Sequence, residues 1–195
     1  NGKGLSEADH TAVASVAGSS NDGLILSSVS ANDKTFAGQY FGGITGYSYN
    51  AVLYDCETAS GRARGYSYDS AQQDKVLKGD YVGGIVGYGN YTILSNCETQ
   101  KNGYVLGENY VGGIAGGLGN EVGSSIRNTG EVLVTTNRSY VIGKNYAGGI
   151  TGINTKGVTL ENCVNNGVAA ATEKYAGGIV GYNENGANIK DCVSY

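Results

Sequence analysis

The stretch YVGGIVGY, Tyr81 to Tyr88, has the valine, isoleucine and tyrosine content of a strand, yet three of its eight residues are glycine. Glycine weakens strand interiors through lost entropy and lost side-chain packing. The stretch returns with small changes as YFGGITGY from Tyr40, YVGGIAGG from Tyr110, YAGGITGI from Tyr146 and YAGGIVGY from Tyr175. A degenerate copy, AVASVAG from Ala12, puts Ala14 where the others have the first glycine of G-G-I and Val16 where they have the isoleucine. With that first glycine as marker (Ala14, Gly42, Gly83, Gly112, Gly148, Gly177), a second landmark follows at Ser28, Cys56, Cys97, Ile126, Cys163 and Cys192, after 14, 14, 14, 14, 15 and 15 residues.

From each landmark to the next marker the steps are 14, 27, 15, 22 and 14 residues. The basic period is therefore 28–29 residues, with extra segments at about 57–75 and 129–142. A period of this size signals a stacked architecture. Short β-rich stretches such as TILSNC, YVLG and VLVTT stand between Gly and Asn residues, and no 3.6-residue apolar period persists, so each unit reads as one coil without helices. The chain is expected to form a single all-β domain over residues 1–195. It would be a parallel β-solenoid, right-handed by the crossover rule, of about six coils beginning near residues 12, 40, 81, 110, 146 and 175. In such a stack, residues recurring once per coil lie above one another. Val16, Ile44, Ile85, Ile114, Ile150 and Ile179 then form one interior ladder, and Ile25, Leu53, Leu94, Leu160 and Ile189 a second. The glycines fall where the chain needs positive φ or close approach.

Composition narrows the function. A net charge of −4 and a pI near 5.0 remove the electrostatic footprint of a nucleic-acid or anionic-lipid binder. No apolar run approaches the roughly 20 residues of a membrane helix. A chain that starts at Asn1 and has no Met reads as processed or excerpted, and its Ser, Asn, Thr and Gly-rich polar positions are common in extracellular bacterial proteins.

Catalytic and metal motifs are sparse. His10 is the only histidine, which excludes the paired imidazoles of an H-E-x-x-H site and reads as a solvated terminal residue. Solenoid enzymes acting on polysaccharides need clustered carboxylates. The recurring candidates Asp55, Glu57, Glu98, Glu161 and Asp191 instead sit at turn-like positions, where capping explains them. Stacking would put Cys56 over Cys97 and Cys163 over Cys192 at about 4.8 Å, within disulfide range. In-register side chains point in parallel, which favours a ladder of reduced thiols, although bridges stay open. No C-x-x-C pair exists to hold zinc, and no cofactor is expected. Tyr40, Tyr81, Tyr110, Tyr146 and Tyr175 form one file of rings and Tyr47, Tyr88 and Tyr182 a shorter one. These files either stack sugars or a partner, or serve as structural ladders. The two extra segments concentrate Arg62, Arg64, Tyr66, Tyr68, Arg138 and Tyr140. Both are expected on one side of the solenoid, where repeat insertions tend to make binding surfaces.

YVGGIVGY and YAGGIVGYNENGANIKDC resemble the GLUG-motif repeats of bacterial cell-surface proteins, repeats that also occur in non-catalytic parts of some immunoglobulin A peptidases. The G-G-I-x-G core and the following N/D-C recur in register over about five of six units; the first unit departs from the pattern, as does the one with Ile126 and GLGNEVGSS. The resemblance implies a secreted or wall-anchored β-solenoid without a fixed activity. The expected function is a non-catalytic surface module, a stalk or adhesin segment holding a host protein or glycan. Two alternatives stand beside it. DCVSY followed by NGKGLSEADHTAVASVAG parallels the internal NCVNNGVAAATEKYAGGIVG, so copies joined head to tail would make an open filament. A β-helix polysaccharide lyase or hydrolase is the other.

Overall fold

A computed structural model of the protein describes residues 12–30, 33–36, 39–59, 62–69, 74–77, 79–119, 125–126 and 135–195. Every regular element among them is a strand, and the strands gather into parallel stacks that run the length of the molecule, the arrangement of a β-solenoid. Each of the first five coils contributes, in chain order, to five stacks, and the last coil to four. In the coil opening at Tyr81 these strands are Tyr81–Gly83, Val86–Asn90, Ile93–Ser95, Glu98–Thr99 and Tyr104–Gly107. The first four stacks each hold six strands, one per coil.

Marker strands pair in the expected register from end to end, Ala14 with Gly42, Gly42 with Gly83, Gly83 with Gly112, Gly112 with Gly148 and Gly148 with Gly177. Both apolar ladders face inward. Ile44, Ile85, Ile114 and Ile150 and their opposites Leu53, Leu94 and Leu160 are wholly buried. With Val86, Leu118, Val158 and three of the cysteines they form the main core. A second, smaller core lies between the first and fifth stacks, where Phe41, Val82, Val111 and Ala147 meet Val105 and Val141.

Glycine separates the two cores. In the coil opening at Tyr110, a Cβ on Gly116 would lie 2.6 Å from the Tyr81 carbonyl carbon and 2.6 Å from the Gly87 oxygen, both backbone atoms of the preceding coil. Sheets ordinarily pack about 10 Å apart with side chains between them; here the first and second stacks touch backbone to backbone. The second glycine of G-G-I has a different neighbour. Besides the Gly113 oxygen of the next coil at 2.1 Å, a Cβ on Gly84 would meet the Thr99 methyl at 2.5 Å, one rung of a polar ladder. In that ladder Asn137 donates to Asn165 at 2.8 Å, Thr99 donates to Asn137 at 2.5 Å, and Asn165 donates to Ser194 at 3.1 Å.

Positive φ, the other expected use of these glycines, belongs to different residues. It occurs at coil corners on Asp22, Asn50 and Tyr91 and again on Ser27, Asp55, Asn96, Asn162 and Asp191. Asn and Asp tolerate this region because their short side chains bond locally, and the corners bond to one another. Ser27 and Asn96 each donate to the Asp55 carboxylate at 3.0 Å, and Asn50 donates to Asp22 at 2.5 Å.

Two expectations need correction. Ile126 is not the landmark of its coil: it pairs with Leu94 and Leu160 and fills the missing rung of the second apolar ladder. The residue stacked on Cys163 is Thr135. The extra residues of that coil therefore fall before Thr135, whereas 135–142 belongs to regular strands Thr135–Asn137 and Tyr140–Gly143. The other extra segment is likewise shorter than 57–75. Glu57 and Thr58 pair with Glu98 and Thr99, and Arg62, Ala63 and Arg64 pair with Tyr104, Val105 and Leu106. What is added is an antiparallel hairpin in which Tyr66 to Asp69 pair with Leu77 to Asp74. The two additions leave the coil at different places: one follows the fifth-stack strand, and the other lies between the second and fourth stacks.

Candidate functional site

Register alone brings part of the expected binding set together. In the fifth stack Arg62 lies next to Tyr104 and Tyr104 next to Tyr140; Arg64 is level with Leu106 and Ile142. The Tyr104 and Tyr140 rings stack with centroids 5.2 Å apart and planes 20° from parallel, and Tyr140 is exposed. Tyr66 and Tyr68 continue the same strand into the hairpin. Arg138 stands apart from them, just after the fourth stack, with its guanidinium on the Glu98 carboxylate. Tyr104, absent from the expected set, is the rung between Arg62 and Tyr140. The recurrence of Y-V-L-G at Tyr104 and Y-V-I-G at Tyr140 was its signal.

The acidic candidates are engaged as turn and ladder groups. Asp55 receives the two corner bonds, Glu57 accepts from Gln100 at 2.7 Å, Glu98 holds Arg138 and Glu161 holds Lys190. The four thiols are free, and Thr135 divides them into the pairs Cys56 with Cys97 and Cys163 with Cys192. A hydrogen bond from Cys97 pulls the Cys56 thiol down to about 7, and the same bond together with burial pushes Cys97 up. Cys192 is pulled to about 7 by Cys163 in the same way. Among the described residues no group of three His, Cys, Asp or Glu side chains could hold a metal ion. His10 lies outside the described residues.

The two tyrosine files meet at the mouth of the glycine-packed arch. Along the first file successive ring centroids are 5.4, 5.1, 5.1 and 5.8 Å apart from Tyr40 to Tyr175. The inner rings thus spend their faces on each other, which makes the file a structural ladder and leaves no room between rungs for a sugar. The second file packs against it: Tyr81 meets Tyr88 edge-on at 4.8 Å, and Tyr47 stacks with Tyr88 at 6.1 Å and 14°. Gly117 interrupts this file because a Cβ there would come within 2.8 Å of the Tyr81 ring. Burial raises the phenol pKa values of Tyr40, Tyr81 and Tyr110, reinforced by neighbouring tyrosines and by Asp80.

In the first coil both files end. Ala12 pairs with Tyr40 and Ser19 with Tyr47, so small residues occupy both ring positions. A cleft of about 510 Å³ lies there, lined by Ala12, Ser19, Tyr40, Tyr47, Tyr81 and Tyr88.

Fold and repeat together define a parallel β-solenoid repeat protein. The GLUG motif matches residues 172–194, the last coil, and that coil is in register with each of the others through the marker pairing, which supports a GLUG-motif repeat protein. This motif is found in extracellular and cell-surface proteins. No curated protein and no solved structure matches the chain. No helix of the described residues is long and apolar enough to cross a membrane.

Proposed function

We infer that the chain is a non-catalytic module of a bacterial surface or secreted protein, a stalk or adhesin segment that holds a host protein or glycan through the fifth-stack face. The observation that carries this reading is the register that sets Arg62, Tyr104 and Tyr140 in one column of a parallel sheet, with the Tyr66–Asp69 arm beside it. Arg and Tyr are the residue types that dominate interface energetics. Among the described residues the recurring carboxylates Asp55, Glu98 and Glu161 are taken up in coil-to-coil bonds. Replacing Arg62, Arg64 and Tyr140 with Ala should weaken attachment to cells or extracellular-matrix glycans while the melting temperature stays put. Attachment that persists in this variant rejects the face, and turnover of any glycan rejects the non-catalytic reading.

A further inference from the structure

We propose that the cleft at the end of the tyrosine files binds a neutral pyranose ring, a site separate from the fifth-stack face and independent of it. Within the first file the inner rings have rings on both sides; in the second, Gly117 follows Tyr88. Tyr47 is stacked on Tyr88 on one side, and its register partner on the other side is Ser19, an exposed residue too small to cover it. Among the described residues the first coil therefore leaves one ring-sized step of the ladder unfilled beside Tyr47, bordered by the Tyr40 and Tyr81 side of the neighbouring file.

The chemistry of the walls selects the occupant. A pyranose carries a patch of C–H groups on one face and hydroxyls around its rim. The C–H face suits the electron-rich face of a phenol ring, and the rim suits hydroxyl partners. Five of the six lining residues are hydroxyl-bearing, namely Ser19 and the four tyrosines, and none is charged. A volume of about 510 Å³ holds one or two sugar rings. Asp80 is near enough to act electrostatically on Tyr40 and Tyr81, which disfavours a uronate and makes the preference one for neutral sugars.

The test uses the whole chain and a panel of methyl glycosides of glucose, galactose, mannose and N-acetylglucosamine, with methyl glucuronoside and p-cresol as contrasts, read by saturation-transfer NMR. At least one neutral glycoside should bind saturably and more tightly than the glucuronoside. Ser19→Tyr, which extends the file into the cleft, and Tyr47→Ala should each weaken that binding roughly tenfold or more. Tyr175→Ala at the far end of the first file should leave it unchanged. Because Ser19→Tyr alters an exposed position, it answers even if Tyr47→Ala fails to fold. Binding of p-cresol with no glycoside bound, binding of no probe at all, or glycoside binding that survives Ser19→Tyr overturns the proposal.

Discussion

Each coil holds its sheets together in two different ways. Between the first and second stacks there is nothing but backbone, and the approach is set by hydrogen atoms on Gly83, Gly87, Gly112 and Gly116. Between the second, third and fourth stacks the space is filled by Ile85, Val86, Leu94, Cys97 and their copies. The same 28–29 residue repeat runs through both, but tolerance differs. The filled side accepts Val, Ile and Leu at one rung or another, Thr135 in place of cysteine, and extra residues on its way round. The arch keeps G-G-x-x-G from the second coil to the sixth, because a side chain can repack and a carbonyl oxygen locked in a ladder cannot.

The sharpest way to break this comparison is Gly116→Ala. Its Cβ would meet two backbone atoms at 2.6 Å, so the arch must open across neighbouring coils, and the cost should reach about 4 kcal/mol or more. A chemical denaturation midpoint within experimental error of the parent would refute close packing as the purpose of these glycines. On the filled side, Ile114→Ala should cost about 2–5 kcal/mol and Ile114→Val only about 0.5–1.5 kcal/mol, since Ile114 is wholly buried in mid-stack. Equal losses for Gly116→Ala and Ile114→Val would erase the contrast.

The mouth of the arch should respond to alkali. Tyr40, Tyr81 and Tyr110 have phenol pKa values raised above the ordinary 10.0, by burial first and then by neighbouring tyrosines. A folded state that holds the phenol proton more tightly than the unfolded chain gains stability that is fully present below pH 10. That stability is lost as pH rises through 10 toward the folded values. Absorbance titration of the phenolates should show a group that ionises late and together with unfolding; 16 tyrosines ionising in one ordinary step would contradict it. The smallest effect is expected outside both regions. Arg138 and Glu98 are each 31% exposed in their side chains, and such pairs contribute about 0–1 kcal/mol. Arg138→Ala should therefore lower thermal stability barely measurably, and a large loss would mean that the pair anchors the fourth stack.

The face carrying Arg62 and Tyr140 was legible only in part. Arg62, Arg64 and Tyr140 were singled out from the sequence for residing in extra segments, yet all three lie on regular strands that share a sheet. For Tyr140 the reason is one of spacing. Spacing from the marker is a reliable ruler only where a coil has no extra residues, and in the coil containing Ile126 they fall inside the measured interval. A Thr at the cysteine position removed the remaining landmark. Tyr104 lies in an uninterrupted coil, where only the recurrence of Y-V-L-G as Y-V-I-G at Tyr140 marks it.

By itself the sequence determined the repeat, the markers, the two apolar ladders and the parallel stack, because in a solenoid one period of sequence is one step of space and a residue's neighbours above and below are its own copies. Only the tertiary structure decided what lies across the coil. It showed that the G-G-x-x-G glycines serve contact between stacks rather than positive φ, that Thr99, Asn137 and Asn165 form a polar ladder beneath them, and that the tyrosine files end in a cleft at Ala12 and Ser19. These contacts join residues of different position within the period and of different coils, and the distance between them is set by how far the chain turns at corners such as Asp55 and Asn96. No spacing along the chain records that angle.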